Sequence, residues 1–349
     1  MKRRILVWGL GAVMILGALG GYWRWRNYWL VPNWNGGQII SNNLEKYDFD
    51  SLRQVYKVQK VKSPKSEIEI LGKIGEIETR RQLRQSGGQV EFETRQIRFK
   101  SRGKWITGMI NYYPKRSSLS PLIIMIRGYA DKAGYYSGSG SWRVADELAR
   151  QLPGLATISI DFLGYGGSDP ESTDMMEARF EKVMNVLDLL VAVENLPWVD
   201  KTKIGIWAHS NGGQIALSVL EVTGKNHPTV LWAPMTNPFP QSILDTAGDL
   251  DDGGVAVKRA VAEFEKKYDA RRYAFENYYA WIKAPVLILQ GDKDPWCKVE
   301  WQEKVVNGLK DLGKRAELVV YPGAGHNLEG SWKEGVARTV GWLQNNMAN

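Results

Sequence analysis

Cysteine and histidine are scarce in this chain, with one cysteine, Cys297, and three histidines among 349 residues. A lone cysteine excludes an internal disulfide and any zinc site built on several thiolates. No cysteine follows the apolar run near the N-terminus, which excludes a lipid-modified cysteine anchor. Asp249, Asp251, Gly253 and Gly254 resemble the start of a calcium loop, but the twelfth position is Ala260 rather than glutamate, so no calcium site is expected. No metal or cofactor is expected elsewhere. An excess of acid is also absent, since the formal charge is +8. That charge is unevenly placed: residues 51–104 carry fourteen Lys/Arg against six Asp/Glu, while residues 105–349 come to −3. The large C-terminal region therefore presents no basic face, and nucleic acid is not an expected partner.

Long hydrophobic runs are limited to one. Ile5 to Trp23 are nineteen uncharged residues behind Lys2, Arg3 and Arg4, and at ~1.5 Å per residue they cross a hydrocarbon core of about 30 Å. Trp23, Trp25, Tyr28 and Trp29 follow as aromatic anchors do at a membrane surface. Residues 1–30 are thus expected to be a membrane anchor with the N-terminus cytoplasmic and the large domain extracytoplasmic. The alternative is a signal peptide cleaved near Ala18 or Gly20, giving a secreted protein. Residues 31–88 form a basic juxtamembrane extension, suited to anionic headgroups or a solvated surface, with a strand pair predicted around Ile68 to Ile77.

From residue 89 onward the pattern is periodic. Val90 to Phe99 and Trp105 to Tyr113 alternate as antiparallel strands joined near Ser101-Arg102-Gly103. Buried strands at Leu122 to Ile126, Leu155 to Asp161, Ile204 to Ala208, Val230 to Trp232, Val286 to Gln290 and Glu317 to Tyr321 then alternate with helices at Trp142 to Leu152, Met176 to Asn195, Gln214 to Thr223, Trp301 to Leu312 and Trp332 to Asn345. This order predicts an α/β domain over residues 89–349. Its sheet has about eight strands, antiparallel at first and then parallel, with helices on both faces. Functional groups should gather at the carboxyl ends of the strands. Thr236 to Trp281 interrupts the alternation with helical segments at Val255 to Tyr268 and Tyr273 to Trp281, and reads as a small cap over that edge.

The chemistry concentrates in Ala208-His209-Ser210-Asn211-Gly212-Gly213, a small-residue turn between strand and helix that lifts a serine out of the sheet as a nucleophile. Such a hydroxyl needs a base, and the base an oriented acid. His209 adjoins the serine and must point away from it, and His227 lies before a strand. His326, in Pro322-Gly323-Ala324-Gly325-His326-Asn327 behind the last strand, is the expected base. Asp292 and Asp294 both follow the strand Val286 to Gln290. Asp292 is placed to cap the turn, and Asp294 has the reach to be the acid. Oxyanion donors are expected from the N–H of Asn211 and, after Arg127-Gly128, of Tyr129.

D-F-L-G-Y-G-G-S-D (Asp161 to Asp169), the serine turn, G-D-K-D and G-A-G-H in sequence resemble the α/β-hydrolase superfamily over about residues 90–349. Within it, R-G-Y, W-A-H-S-N-G-G and Y-P-G-A-G-H-N resemble the catalytic domain of the prolyl oligopeptidase family of serine peptidases. The resemblance implies an α/β-hydrolase fold, Ser210, Asp294 and His326 as a triad, and Tyr129 and Asn211 at the oxyanion. It implies a short peptide as substrate, with a small acyl ester as the alternative and a non-catalytic binding protein on a hydrolase scaffold as a remote one. Two positions differ from the family pattern. Ala208 replaces the first glycine of the serine turn, and Arg127 stands where many relatives have histidine, for structure or for a substrate carboxylate. Residues 42–84 are too few for the propeller that family members usually carry.

Overall fold

The computed structural model describes residues 43–62, 67–73, 92–115, 117–248, 250 and 252–347. The apolar run Ile5 to Trp23, and Asp249 and Asp251, lie outside these residues. Among the described residues no helix is long and apolar enough to cross a membrane.

Among the described residues nine strands form one sheet in the order β1-β2-β3-β5-β4-β6-β7-β8-β9. They are β1 (Glu69–Lys73), β2 (Glu93–Ser101), β3 (Lys104–Tyr112), β4 (Ser120–Ile126), β5 (Ala156–Ile160), β6 (Val199–His209), β7 (Thr229–Trp232), β8 (Val286–Gly291) and β9 (Ala316–Tyr321). The first three pair antiparallel and β3 meets β5 antiparallel, after which every pairing is parallel. One strand more is present than the about eight expected: β1, from the predicted pair around Ile68 to Ile77, joins β2, and residues 74–77 lie outside the described set. Arg102 and Gly103, both at positive φ (51° and 85°), make the tight turn between β2 and β3.

The central strands are apolar on both faces because both are covered. Along β4, Leu122, Ile124 and Ile126 enter one core and Ile123 and Met125 the other. Helices α3 (Met175–Val193), α4 (Asn211–Thr223) and α7 (Val299–Asp311) pack on the larger core, and α2 (Trp142–Gln151) and α8 (Trp332–Met347) on the smaller. Asp174 starts α3 by accepting from the N–H groups of Met176 (2.8 Å) and Glu177 (3.1 Å).

The cap is less helical than its sequence reads. It holds α5 (Gln241–Ala247) and α6 (Val255–Glu265), but Phe275–Trp281 is a 3-10 segment, as is Ala270–Tyr273. Tyrosine and phenylalanine there pack by ring contact: Phe239 lies 5.1 Å from Phe264 and 5.2 Å from Phe180 of α3. The preceding extension contributes helix α1 (Phe49–Lys62), which the sequence did not reveal. Leu44, Tyr47, Phe49, Leu52 and Tyr56 are buried in the larger core. Phe49 stacks on Tyr278 at 4.4 Å, and Asp48 pairs with Arg272 at 2.6 Å. Residues 44–56 therefore wall the cap side of the domain.

Candidate active site

Ser210 sits between β6 and α4 with φ 54° and ψ −126°, a conformation that a residue with a Cβ rarely adopts. Three hydrogen bonds fix the turn: Ser210 N–H donates to Trp232 O at 3.0 Å, and Ser210 O accepts from Gly213 and Met235 N–H at 2.8 Å each. The neighbours have to be bare for the turn to fit. A methyl group on Gly128 would lie 2.6 Å from Ser210 Cβ, and one on Gly213 would lie 2.3 Å from Pro234 Cβ. Ala208 is fully buried in β6, so the turn accommodates its methyl group. This is the strand-turn-helix geometry expected of a presented serine.

His326 is buried and its Nδ1 donates to Asp294 Oδ2 at 2.8 Å. A carboxylate acceptor fixes the hydrogen on Nδ1 and leaves Nε2 as the basic nitrogen. Asp294 is itself held, its Oδ1 accepting from Trp296 and Cys297 N–H (2.9 and 3.0 Å) and its Oδ2 from Gln290 Nε2 (3.0 Å). Burial alone would raise the Asp294 carboxyl, but the hydrogen bond and charge of His326 and the two backbone donors outweigh it and hold the group below the usual carboxylate range. Asp292 takes the capping role: its Oδ1 accepts from Gly323 N–H at 2.7 Å.

His209 turns away from the serine and ties the two loops together. Its Nε2 donates to the backbone carbonyl of His326 at 3.0 Å, and the two rings lie 4.8 Å apart. Trp296 meets the His326 ring edge-on at 5.0 Å. Gln290 did not stand out in the sequence although its partners Asp294 and Cys297 are only four and seven residues away, because a glutamine in a buried strand carries no pattern of its own, while the contacts of His209 and Trp296 with His326 span loops distant in the chain. Burial, with the neighbouring His326 acting in the same direction, pushes the His209 imidazole down to about 3. The unfolded chain binds this proton near the ordinary value of ~6.5, so between those limits the unfolded state holds more protons. Stability should then fall as the pH drops below ~6.5. His209→Gln, which keeps a donor for the His326 carbonyl, is expected to lose less stability than wild type between about pH 7.5 and pH 4.5, measured by urea unfolding. Equal losses would remove His209 from the acid sensitivity.

On the other side of Ser210 lies the loop after β4. Tyr129 is half-buried there, with its hydroxyl pushed up by burial, and Asn211 opens α4. Arg127 is buried, and of its two readings the structural one applies. Its guanidinium donates to Gly128 O (2.8 Å), Asp161 O (2.7 Å) and Tyr135 Oη (3.1 Å) and stacks 4.0 Å from the Tyr165 ring centroid. Asp161 accepts from Thr107 Oγ1, Ser137 Oγ, Tyr135 Oη and Gly138 N–H, so the D-F-L-G-Y-G-G-S-D segment braces that loop. Among the described residues, Asp294, Cys297 and His326 present ligand atoms within 4.8 Å of one another. The carboxylate is already engaged and burial raises the Cys297 thiol well above its ordinary value, so a cation there would have to displace the Asp294–His326 bond.

A doubly covered, mostly parallel sheet with a strained serine turn and a carboxylate-oriented histidine beside it is the α/β-hydrolase fold, and that is the fold of this chain. The chain belongs to the prolyl oligopeptidase family, whose model matches residues 169–349. A curated relative, the uncharacterized peptidase YuxL of Bacillus subtilis (strain 168), is 25% identical over 206 residues, which cover 59% of this chain and 27% of the relative. The chain thus spans about a quarter of that relative's length. Among solved structures, the acylaminoacyl peptidase of Pyrococcus horikoshii matches with TM-score 0.58 and 19% identity over 74% of this chain and 42% of its own. The acetyl xylan esterase of Paenibacillus sp. R4 matches with TM-score 0.61 and 16% identity over 91% and 98%.

Proposed function

We propose that Ser210, His326 and Asp294 form a catalytic triad that hydrolyses short peptides through an acyl-enzyme. Ser210 Oγ attacks the substrate carbonyl while its proton passes to His326 Nε2. The oxyanion takes hydrogen bonds from the N–H groups of Asn211 and Tyr129. As the C–N bond breaks, the leaving amine takes the proton from Nε2. Water then loses a proton to Nε2 and attacks the acyl carbon, and Ser210 Oγ leaves with that proton. The observation carrying this reading is the buried 2.8 Å bond from His326 Nδ1 to Asp294, which fixes the tautomer with Nε2 basic. Asp294 balances the imidazolium that forms.

The alternative substrate is a small acyl ester, favoured by the near-complete overlap in length with the acetyl xylan esterase. Parallel assays of short p-nitroanilide peptides and p-nitrophenyl esters separate the two, and hydrolysis of esters alone would discard the peptide reading. Covalent labelling by a fluorophosphonate is expected for wild type and lost in Ser210→Ala. Failure of wild type to label, with the two proteins behaving alike, would leave only the binding-protein reading.

For location, the proposal is an anchor at Ile5 to Trp23 with the hydrolase extracytoplasmic. Full-length protein should stay with membranes after alkaline carbonate washing and be digested by protease added outside intact spheroplasts. Release by carbonate, or shortening by a signal-peptide length, would point to secretion.

A further inference from the structure

Helix α3 carries a cation that the triad does not use. Arg179 is largely enclosed, yet among the described residues no carboxylate lies within salt-bridge distance. Its Nη2 donates to two neutral acceptors, Gln214 Oε1 (2.6 Å) and Ser242 Oγ (2.8 Å). Glu177, two residues earlier and so on another face of the helix, is already neutralised by Lys46 at 2.7 Å and bonded by Ser172 Oγ at 2.8 Å. Enclosing a cation without a counter-charge is unfavourable, and burial lowers the Arg179 guanidinium to about 10.

Arg179 lines a cavity of about 40 Å³ beside the first turn of α4. Asn211, the residue after Ser210, is in its wall, as are the rings of Phe49, Phe239 and Tyr273, and Gln214. Extension, cap and α3 thus enclose one small pocket whose walls are aromatic and whose charge is positive. At its serine end is the N-terminus of α4, which also favours negative charge.

We propose that this pocket receives the acyl side of the substrate and that Arg179 recognises a carboxylate at its far end, selecting acidic acyl groups such as a glutamyl residue or the half-ester of a short dicarboxylic acid. The inference rests on Ser210 being the nucleophile. An arginine offers a planar fork that fits a carboxylate, and the substrate would supply the missing counter-charge. A competing role exists, because Gln214 Nε2 also donates to Asn211 Oδ1. Through that link Arg179 could be a positioning residue for the Asn211 donor rather than a recognition group.

Two matched pairs test the proposal on the full-length protein: an N-acyl-Glu against an N-acyl-Gln p-nitroanilide, and monomethyl glutarate against the methyl ester of glutaramic acid. Wild type is expected to favour the anionic member of at least one pair by about tenfold or more in kcat/KM, the range of a charge-assisted hydrogen bond. Which pair responds separates an amide from an ester source of the same carboxylate. In Arg179→Met the ratio should collapse by about the same factor, with Arg179→Lys in between. No preference in wild type, or an unchanged ratio in Arg179→Met even as both rates fall, would overturn recognition; the latter would mark Arg179 as a positioning residue. Wild type alone gives a second readout that needs no folded variant. Glutarate should inhibit hydrolysis of a neutral substrate at least about tenfold more tightly than glutaramide, and equal inhibition would overturn the proposal. Ser210→Ala keeps the two readings apart. If its loss of turnover on the neutral substrate holds while the ratios are flat, only the carboxylate inference fails.

Discussion

Asp294→Asn is expected to lower kcat by about four orders of magnitude, as removal of tautomer control does in other triads. The reason can be followed atom by atom. Oδ1 accepts from the N–H groups of Trp296 and Cys297, so the amide oxygen of an asparagine must stay on that side. Its NH₂ would then occupy the place of Oδ2. There it would meet the Nε2 of Gln290, already a donor, and the Nδ1 of His326. The imidazole would answer by moving its hydrogen to Nε2, which removes the lone pair needed to take the serine proton. A donor facing a donor in a buried site should also cost roughly 1–3 kcal/mol of stability. Asp292→Asn is the control: its Oδ1 only caps Gly323, an amide oxygen accepts that bond equally well, and kcat should change little. If Asp294→Asn kept more than about a tenth of wild-type kcat, Asp294 would not be the triad acid.

Gly212→Ala is expected to be the methyl addition that most directly disrupts the Ser210 turn. A Cβ there would lie 2.4 Å from Ile126 O and 2.7 Å from Arg127 O, and both are backbone atoms in the strand and loop beside the serine. Neither can rotate away. Relief requires moving either the first turn of α4 or the end of β4, and both support the Ser210 turn. Overpacking of this kind costs at least about 1–3 kcal/mol, and the displaced turn should abolish fluorophosphonate labelling even in molecules that remain folded. The contrast is Gly341→Ala in α8, where an added methyl group meets nothing within 4 Å. That change should stabilise by up to about 1 kcal/mol through helix propensity. Thermal unfolding of the two variants beside wild type checks the pair, and similar midpoints would contradict the tight approach at Gly212.

Whatever depends on local periodicity and on chain order was legible in the sequence. Apolar runs bounded by turns located six parallel strands to within a few residues, because a strand buried on both faces must be apolar throughout. The serine turn was readable because only small residues fit between β4, β6 and the Pro234 loop. With three histidines present, position behind the last strand singled out His326, the one whose Nδ1 meets Asp294. Elements held by tertiary contact rather than by their own pattern were not legible. Phe275–Trp281 is a 3-10 segment whose rings pack on α1, and α1 itself is polar over most of its surface, so its few buried residues gave no period strong enough to announce it.

By itself, then, the sequence determined the sheet, its two helical layers and the order serine, aspartate, histidine along the chain. Those follow from hydrophobic spacing and from the few residue types able to do the chemistry. Only the tertiary structure decided which aspartate meets His326, that His209 fastens the histidine loop to the serine turn, that Arg127 is internal scaffolding, and that Arg179 lines the pocket with no counter-charge among the described residues. Each of these is a contact between segments tens to hundreds of residues apart. Such contacts are set by how the layers pack, and no spacing along the chain encodes the distance between two side chains on different loops.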